Sequence, residues 1–208
     1  MSFSRAAIVC IQAALYQLAS TPPNKAPAKG RYATDEVFFS KIAPLVFKIQ
    51  QPLIWLCTLA DVLLILTQQT IIPLSSSATS AIRSTICPSP STQPVSATVA
   101  IHTTSFLLIG ALLVVSGSLL RLTCYRTLGA FFTFELAILP AHRLIASGPY
   151  SVIRHPAYTG SLLMLMGLAL ANLSPGGWVA ECGIFGRGSG SLVVRVGFFR
   201  CGMHGGLQ

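Results

Sequence analysis

Between residues 142 and 160 the chain reads HRLIASGPYSVIRHPAYTG, a polar, basic, turn-rich segment set between two strongly apolar runs. His142, Arg143, Arg154 and His155 bring positive or protonatable groups together here. Gly148-Pro149 is a turn signal. Pro156 has no backbone N–H of its own and biases His155 away from helical geometry toward an extended form. The segment is therefore not expected to be one continuous helix, and several of its backbone N–H groups should be left unused beside the charges. Free donors next to cations suit a carboxylate or a phosphate. Tyr150 and Tyr158 add flat, polar-tipped rings that suit packing against a group such as an adenine. The residue types outline a ligand site, although Gly-Pro and His-Pro turns in basic loops also mark membrane boundaries that bind nothing.

The surroundings of this segment are those of a membrane protein. Only 9% of the 208 residues are charged, against about 25% in soluble domains, and the mean hydropathy is +0.69. The expected fold is an all-α polytopic membrane protein, with about four to five membrane helices and an irregular segment facing the cytosol. A net charge of +9 would suit nucleic acid, but the cations lie in loops between apolar runs and follow the positive-inside rule. No nucleic-acid partner is expected. Cys10, Cys57, Cys87, Cys124, Cys182 and Cys201 show no CxxC spacing, and the four histidines are scattered. Neither a metal site nor a disulfide framework is expected, and the cysteines read as small apolar fillers with free thiols.

Along the chain, residues 6–19 form an apolar run after Arg5. It is short for a span and also fits a signal peptide, but Gln12, Tyr16 and Gln17 make it more polar than most signal cores. Residues 20–41 are a basic, proline-containing loop. The next span is placed at 51–72, starting near Pro52, with Asp61 close to its centre. A carboxylate there is either functional or paired so as to hold helices together. Residues 75–96, rich in Ser, Thr and Pro, read as a flexible connection. Residues 99–122 are the clearest span, with small-residue patches that allow close helix approach. Residues 129–139 are too short to cross and should lie at the interface or re-enter. Residues 161–173 begin a further helix of about half a span, and the glycine-rich stretch 174–208 reads as a flexible tail. Two spans separate the basic regions from each other, and the loop between those spans is nearly neutral. That arrangement places the 142–160 segment on the cytosolic face.

The residues also carry a recognisable pattern. Arg121-x-x-Cys124-x-Arg126-x-Leu128-Gly129-x-x-Phe132-Thr133-Phe134 comes first, then His142-x-Leu144-Ile145 and Ser147-Gly148-Pro149-Tyr150, and then Arg154-His155-Pro156-x-Tyr158-x-Gly160. Together these resemble the isoprenylcysteine carboxyl methyltransferases of the endoplasmic reticulum membrane. The Ser20-Thr21-Pro22-Pro23-Asn24 loop and Leu173-Ser174-Pro175-Gly176 resemble fungal members. A related RHPxYxG-like element occurs in phospholipid N-methyltransferases, so the pattern points more firmly to a superfamily than to one acceptor.

The resemblance implies S-adenosyl-L-methionine as methyl donor and the carboxylate of a C-terminal prenylated cysteine, on a CaaX-type protein, as acceptor. It implies that Glu135, His142, Arg143, Leu144, Ile145, Tyr150, Arg154, His155, Pro156, Ala157 and Tyr158 line the cofactor site, with no metal; it names no catalytic residue. It places the methyltransferase domain at 1–182. From about residue 183 the chain departs from the family pattern, which continues with another membrane segment, an Arg and an acidic pair. Residues 183–208 are therefore expected to be an atypical tail, with the cofactor half of the site present and the acceptor half missing, so that a phospholipid or amine methyltransferase of the same superfamily and a truncated, non-catalytic membrane protein stand as the alternatives.

Overall fold

The computed structural model describes residues 2–24, 38–69, 75–87, 101–133 and 144–184. Within them the secondary structure is helical: α1 (Ser2–Ser20), α2 (Phe38–Gln68), α3 (Ser76–Ile86), α4 (Ser105–Leu128), α5 (Pro156–Leu173) and the single turn α6 (Trp178–Glu181). Short 3-10 turns occupy Gly129–Phe131 and Gly148–Ser151. Three segments are long and apolar enough to cross a membrane: Leu45–Gln68, Ser105–Phe131 and Pro156–Leu173. An all-α membrane protein is the architecture found. The described residues hold three such spans rather than four to five, with α1 as a fourth helix packed against α2 and α4.

α4 and α5 form the centre, antiparallel and in backbone contact. A methyl group added at Gly117 would lie 2.5 Å from the Gly160 carbonyl oxygen, and one at Gly167 would lie 2.5 Å from that of Gly110. Hydrophobic burial does little to join helices inside lipid, so close backbone packing carries the contact. α1 lies alongside, with Val9, Ala13, Tyr16 and Ala19 buried.

At one end of the bundle a buried ion pair gathers five parts of the chain. Arg5, at the start of α1, donates from Nε and Nη2 to Asp61 Oδ2 of α2, at 3.0 and 2.8 Å. Its Nη1 donates to the His102 carbonyl at 3.2 Å, just before α4, and Nη2 reaches the Ala171 carbonyl near the end of α5 at 3.5 Å. The other Asp61 oxygen accepts the Trp178 backbone N–H at 2.8 Å, at the start of α6. Arg5 is 0% and Asp61 2% exposed. Asp61 is thus a paired carboxylate, and its partner comes from the first turn of the chain. α1 is thereby an integral part of the bundle.

Several sequence expectations need correction. α2 begins at Phe38 and runs through Pro52 without stopping, because neighbouring helices in a membrane tolerate an interior proline. The 75–96 connection contains a helix: Ser75 caps α3 by accepting the Ala78 N–H, and Thr79, Ser80, Ser84 and Thr85 donate to carbonyls three or four residues back. Such internal bonds satisfy the hydroxyls without breaking the helix. α4 continues to Leu128, carrying Arg121 and Arg126 in its last turns. α5 is a full span of 18 residues, since it starts at Pro156 rather than at 161; proline at the first helical position is pre-set for this role.

Residues 174–184 are packed rather than tail-like. Ser174, Val179 and Cys182 are buried, and Trp178 Nε1 donates to the Ile86 carbonyl at 2.9 Å. Cys87 and Cys182, expected as free thiols, form a disulfide with their Cα atoms 4.9 Å apart. Spacing could not show this, because the partners are 95 residues apart.

Asp61→Ala is predicted to strand the Arg5 guanidinium among apolar groups and to destabilise the fold by about 3–5 kcal/mol. The unfolding midpoint of the detergent-extracted protein should fall clearly. Replacing both partners together, as Arg5→Met with Asp61→Leu, should recover most of the loss. A midpoint that Asp61→Ala leaves unmoved would contradict the pairing.

Candidate functional site

The opposite end of the bundle is built around Arg121, which is 2% exposed. Its Nε donates to the Ala19 carbonyl at the end of α1, at 2.7 Å. Its Nη1 donates to the Ala157 carbonyl at 3.4 Å and to Ser161 Oγ, both in the first turns of α5. Its Nη2 donates to the Tyr125 hydroxyl at 2.8 Å, and that hydroxyl in turn donates to the Ala19 carbonyl. The guanidinium also lies 5.0 Å from the Phe47 ring centroid on α2. One charged fork thus ties α1, α2 and α4 to the helix start that carries the His-Pro motif.

The turn after α4 is held from the side. Asn24 Nδ2 donates to the carbonyls of Gly129 and Phe132, at 2.7 and 3.1 Å. Phe132 packs edge-on against Tyr125, with ring centroids 4.4 Å apart. The 3-10 turn Gly148–Ser151 then lies on the last turns of α4. Gly148 has φ +60°, and a methyl group there would lie 3.0 Å from Thr127 Oγ1. Conformation and close approach both require glycine here. Tyr150, half-buried, packs against the Cys124, Tyr125 and Phe132 cluster together with Ala157. Burial, then the adjoining Cys124 thiol, push the Tyr150 phenol above its ordinary range. Tyr150 is therefore a neutral donor at physiological pH.

The start of α5 follows the proline logic. His155 sits at φ −129°, ψ 61°, outside the helix, and Pro156 is the first helical residue. The structure uses more of the local N–H groups than the sequence suggested. Tyr150 N–H donates to Ser147, Val152 and Ile153 N–H both donate to Pro149, and Tyr158 and Thr159 N–H donate to His155. Among the described residues, the N–H groups of Arg154 and His155 make no such bond.

Of the residues expected to line a cofactor site, Tyr150, Arg154, His155, Pro156, Ala157 and Tyr158 come together around this turn. Tyr158 is 62% exposed, with its ring 5.7 Å from the His155 ring, and the Arg154 and His155 side chains are also exposed. Pro156 is buried and Ala157 half-buried, so these two shape the backbone. Leu144 is 96% exposed and Ile145 half-buried. Glu135, His142 and Arg143 lie outside the described residues. The supporting roles of Arg121, Tyr125, Asn24 and Ser161 were missed. The signal for Arg121 was present: it lies on the Gly110, Val114, Gly117, Ser118 stripe that faces α5.

The residue types in this arrangement suit a ligand with an anionic end and an aromatic plane. Arg154 and two unused N–H groups suit a carboxylate, and the exposed Tyr158 and His155 rings suit a heteroaromatic face. Residues 105–185 match the phospholipid methyltransferase family model, a stretch that starts with α4 and takes in both 3-10 turns, α5 and α6. That family includes the isoprenylcysteine methyltransferases, and the match supports a membrane methyltransferase of this superfamily. No curated protein and no solved structure matches the chain.

Arg121→Met should free the first turn of α5. Hydrogen bonds to a charged group each contribute about 1.5–3 kcal/mol, and this change removes several together. Amide hydrogen exchange across residues 157–161 is predicted to quicken markedly, while residues 164–171 keep their protection. Equal protection in both proteins would show that Arg121 does not hold the site.

Proposed function

We propose that the protein binds S-adenosylmethionine in the His155–Tyr158 turn and methylates the C-terminal carboxylate of a prenylated cysteine at the cytosolic face of the endoplasmic reticulum membrane. The observation that carries this reading is the His155-Pro156-x-Tyr158 turn. It opens α5, is braced by Arg121, and lies inside the segment similar to phospholipid methyltransferases.

The cofactor supplies a methyl group made electrophilic by its sulfonium. The residues present fit it. Arg154 and the neighbouring N–H groups would take its carboxylate, and Tyr158 and His155 would pack against its adenine. Tyr150, packed on the Cys124, Tyr125 and Phe132 cluster beside Ala157, would stand protonated behind it. A carboxylate acceptor is already a nucleophile at neutral pH, so the chain needs no general base. Its task is to align donor and acceptor in line and to keep water out, which is catalysis by proximity. Holding the bound sulfonium no more tightly than the transition state keeps transfer fast. The prenyl chain would reach the site from the bilayer.

A second acceptor class is favoured by the family match itself, whose model describes phospholipid methyltransferases. In that reading the acceptor is the amine of a lipid headgroup. Both readings share the donor site; they differ in what stands opposite the methyl group and in that a headgroup ammonium must first give up a proton to water or a base, which a carboxylate need not.

Labelled S-adenosylmethionine offered to membranes containing this chain separates them. Label on a farnesylcysteine analogue above an empty-membrane control is the expected result, and label on phosphatidylethanolamine instead would establish the second reading. Tyr158→Ala should weaken binding of labelled S-adenosylmethionine about tenfold, in line with the roughly 1–3 kcal/mol of an aromatic–base stack. Unchanged binding in both Tyr158→Ala and His155→Ala would remove the donor site from this turn.

A further inference from the structure

The two ends of the bundle differ in charge and in cysteine chemistry. At the candidate-site end, Lys48, Arg126 and Arg154 are exposed. At the other end, α3 carries Arg83 as its sole charged residue. Arg5 also lies there, but Asp61 cancels its charge inside the fold. α4 joins the ends: it starts beside His102, whose carbonyl takes Arg5, and its last turns hold Arg121 and Tyr125. Its 24 residues extend about 36 Å, more than the roughly 30 Å of a bilayer core. The ends therefore lie on opposite faces of the membrane.

The disulfide belongs to the end where, among the described residues, no exposed basic cluster lies. Cys87 follows directly on α3 and Cys182 on α6. Both are buried, in one cluster with Leu64, Ile65 and Ile101, against Ile86 and Trp178. Trp178 joins the cluster to the ion pair: its backbone N–H donates to Asp61, and its indole N–H donates to Ile86. The Gly176–Gly177 turn wraps the pair closely, and a methyl group at Gly177 would lie 2.6 Å from Arg5 Nη2. α6 and this turn form a lid over the Arg5–Asp61 pair, and the cystine ties that lid to the end of α3.

We propose that the Cys87–Cys182 disulfide is formed in the oxidising compartment, on the membrane face opposite the candidate site, and fastens the lid that keeps the Arg5–Asp61 pair dry. Reducing compartments do not sustain such bonds. The step is thiol–disulfide exchange with the disulfide of a protein oxidoreductase. The two thiols give up two protons and two electrons and become joined, and the oxidoreductase leaves as a dithiol. This inference concerns the far face only and stands whether or not the methyl-transfer reading does.

The test uses the full chain in sealed microsomes. After alkylation of free thiols without reductant, mass spectrometry should find the Cys87 and Cys182 peptides joined, and separated only after dithiothreitol. Both peptides alkylated from the start, or either joined to Cys201, would overturn the bond. A membrane-impermeant maleimide reads the face through two single reporters. Ser151→Cys, in the 3-10 turn near the candidate site, should label in sealed vesicles, whereas Ser80→Cys on α3 should label only after the vesicles are opened. Labelling of Ser80→Cys in sealed vesicles would overturn the assignment of the face.

Fastening is read by unfolding in detergent. Cys87→Ala, Cys182→Ala and the double variant should lower the midpoint by the same amount, because either single change already breaks the bond. Single-variant losses that add up in the double variant, or no loss in any of them, would overturn the latch.

Discussion

The fold depends on how a guanidinium and a carboxylate come to be buried together. Arg5 and Asp61 are each too costly to bury alone, and inside a bilayer protein neither has water to fall back on. Together they are satisfied only because His102 and Ala171 lend carbonyls and Trp178 lends an N–H. Each of these groups comes from a different element. The pair therefore specifies which helix ends meet, and a misassembled bundle would leave one of the charges without partners. The coverage continues outward through the glycine turn, α6 and the cystine.

Arg121 repeats the same physics at the other end with a different result. Its fork donates to backbone carbonyls and hydroxyls. Such bonds fix backbone positions, so Arg121 sets where α5 starts relative to α1. The glycine contacts between α4 and α5 fix the rest, because two backbones that touch cannot slide without clashing. The candidate site thus rests on a rigid frame, while the groups that would meet a ligand, Arg154, His155 and Tyr158, are exposed at its edge. A frame of this kind suits a reaction that needs alignment more than acid–base chemistry.

The sequence by itself determined the membrane class, the break in the helix at His155, and the residue types at the candidate site. All three follow from local causes: low charge density, proline geometry, and composition within a short stretch. It also carried the motif pattern that the family match over 105–185 supports at superfamily level. Local reading failed where hydroxyl-rich and glycine-rich composition stood in for structure. Ser and Thr in α3 bond back to their own helix, and the residues through 184 are packed by contacts from α2 and α3.

What only the tertiary structure decided are the long-range pairings. Arg5 meets Asp61 across 56 residues, Arg121 meets Ala19 across 102, and Cys87 meets Cys182 across 95. No periodicity encodes such distances. They arise because antiparallel helices of similar length bring first turns beside last turns, and because a buried charge can be satisfied in so few places.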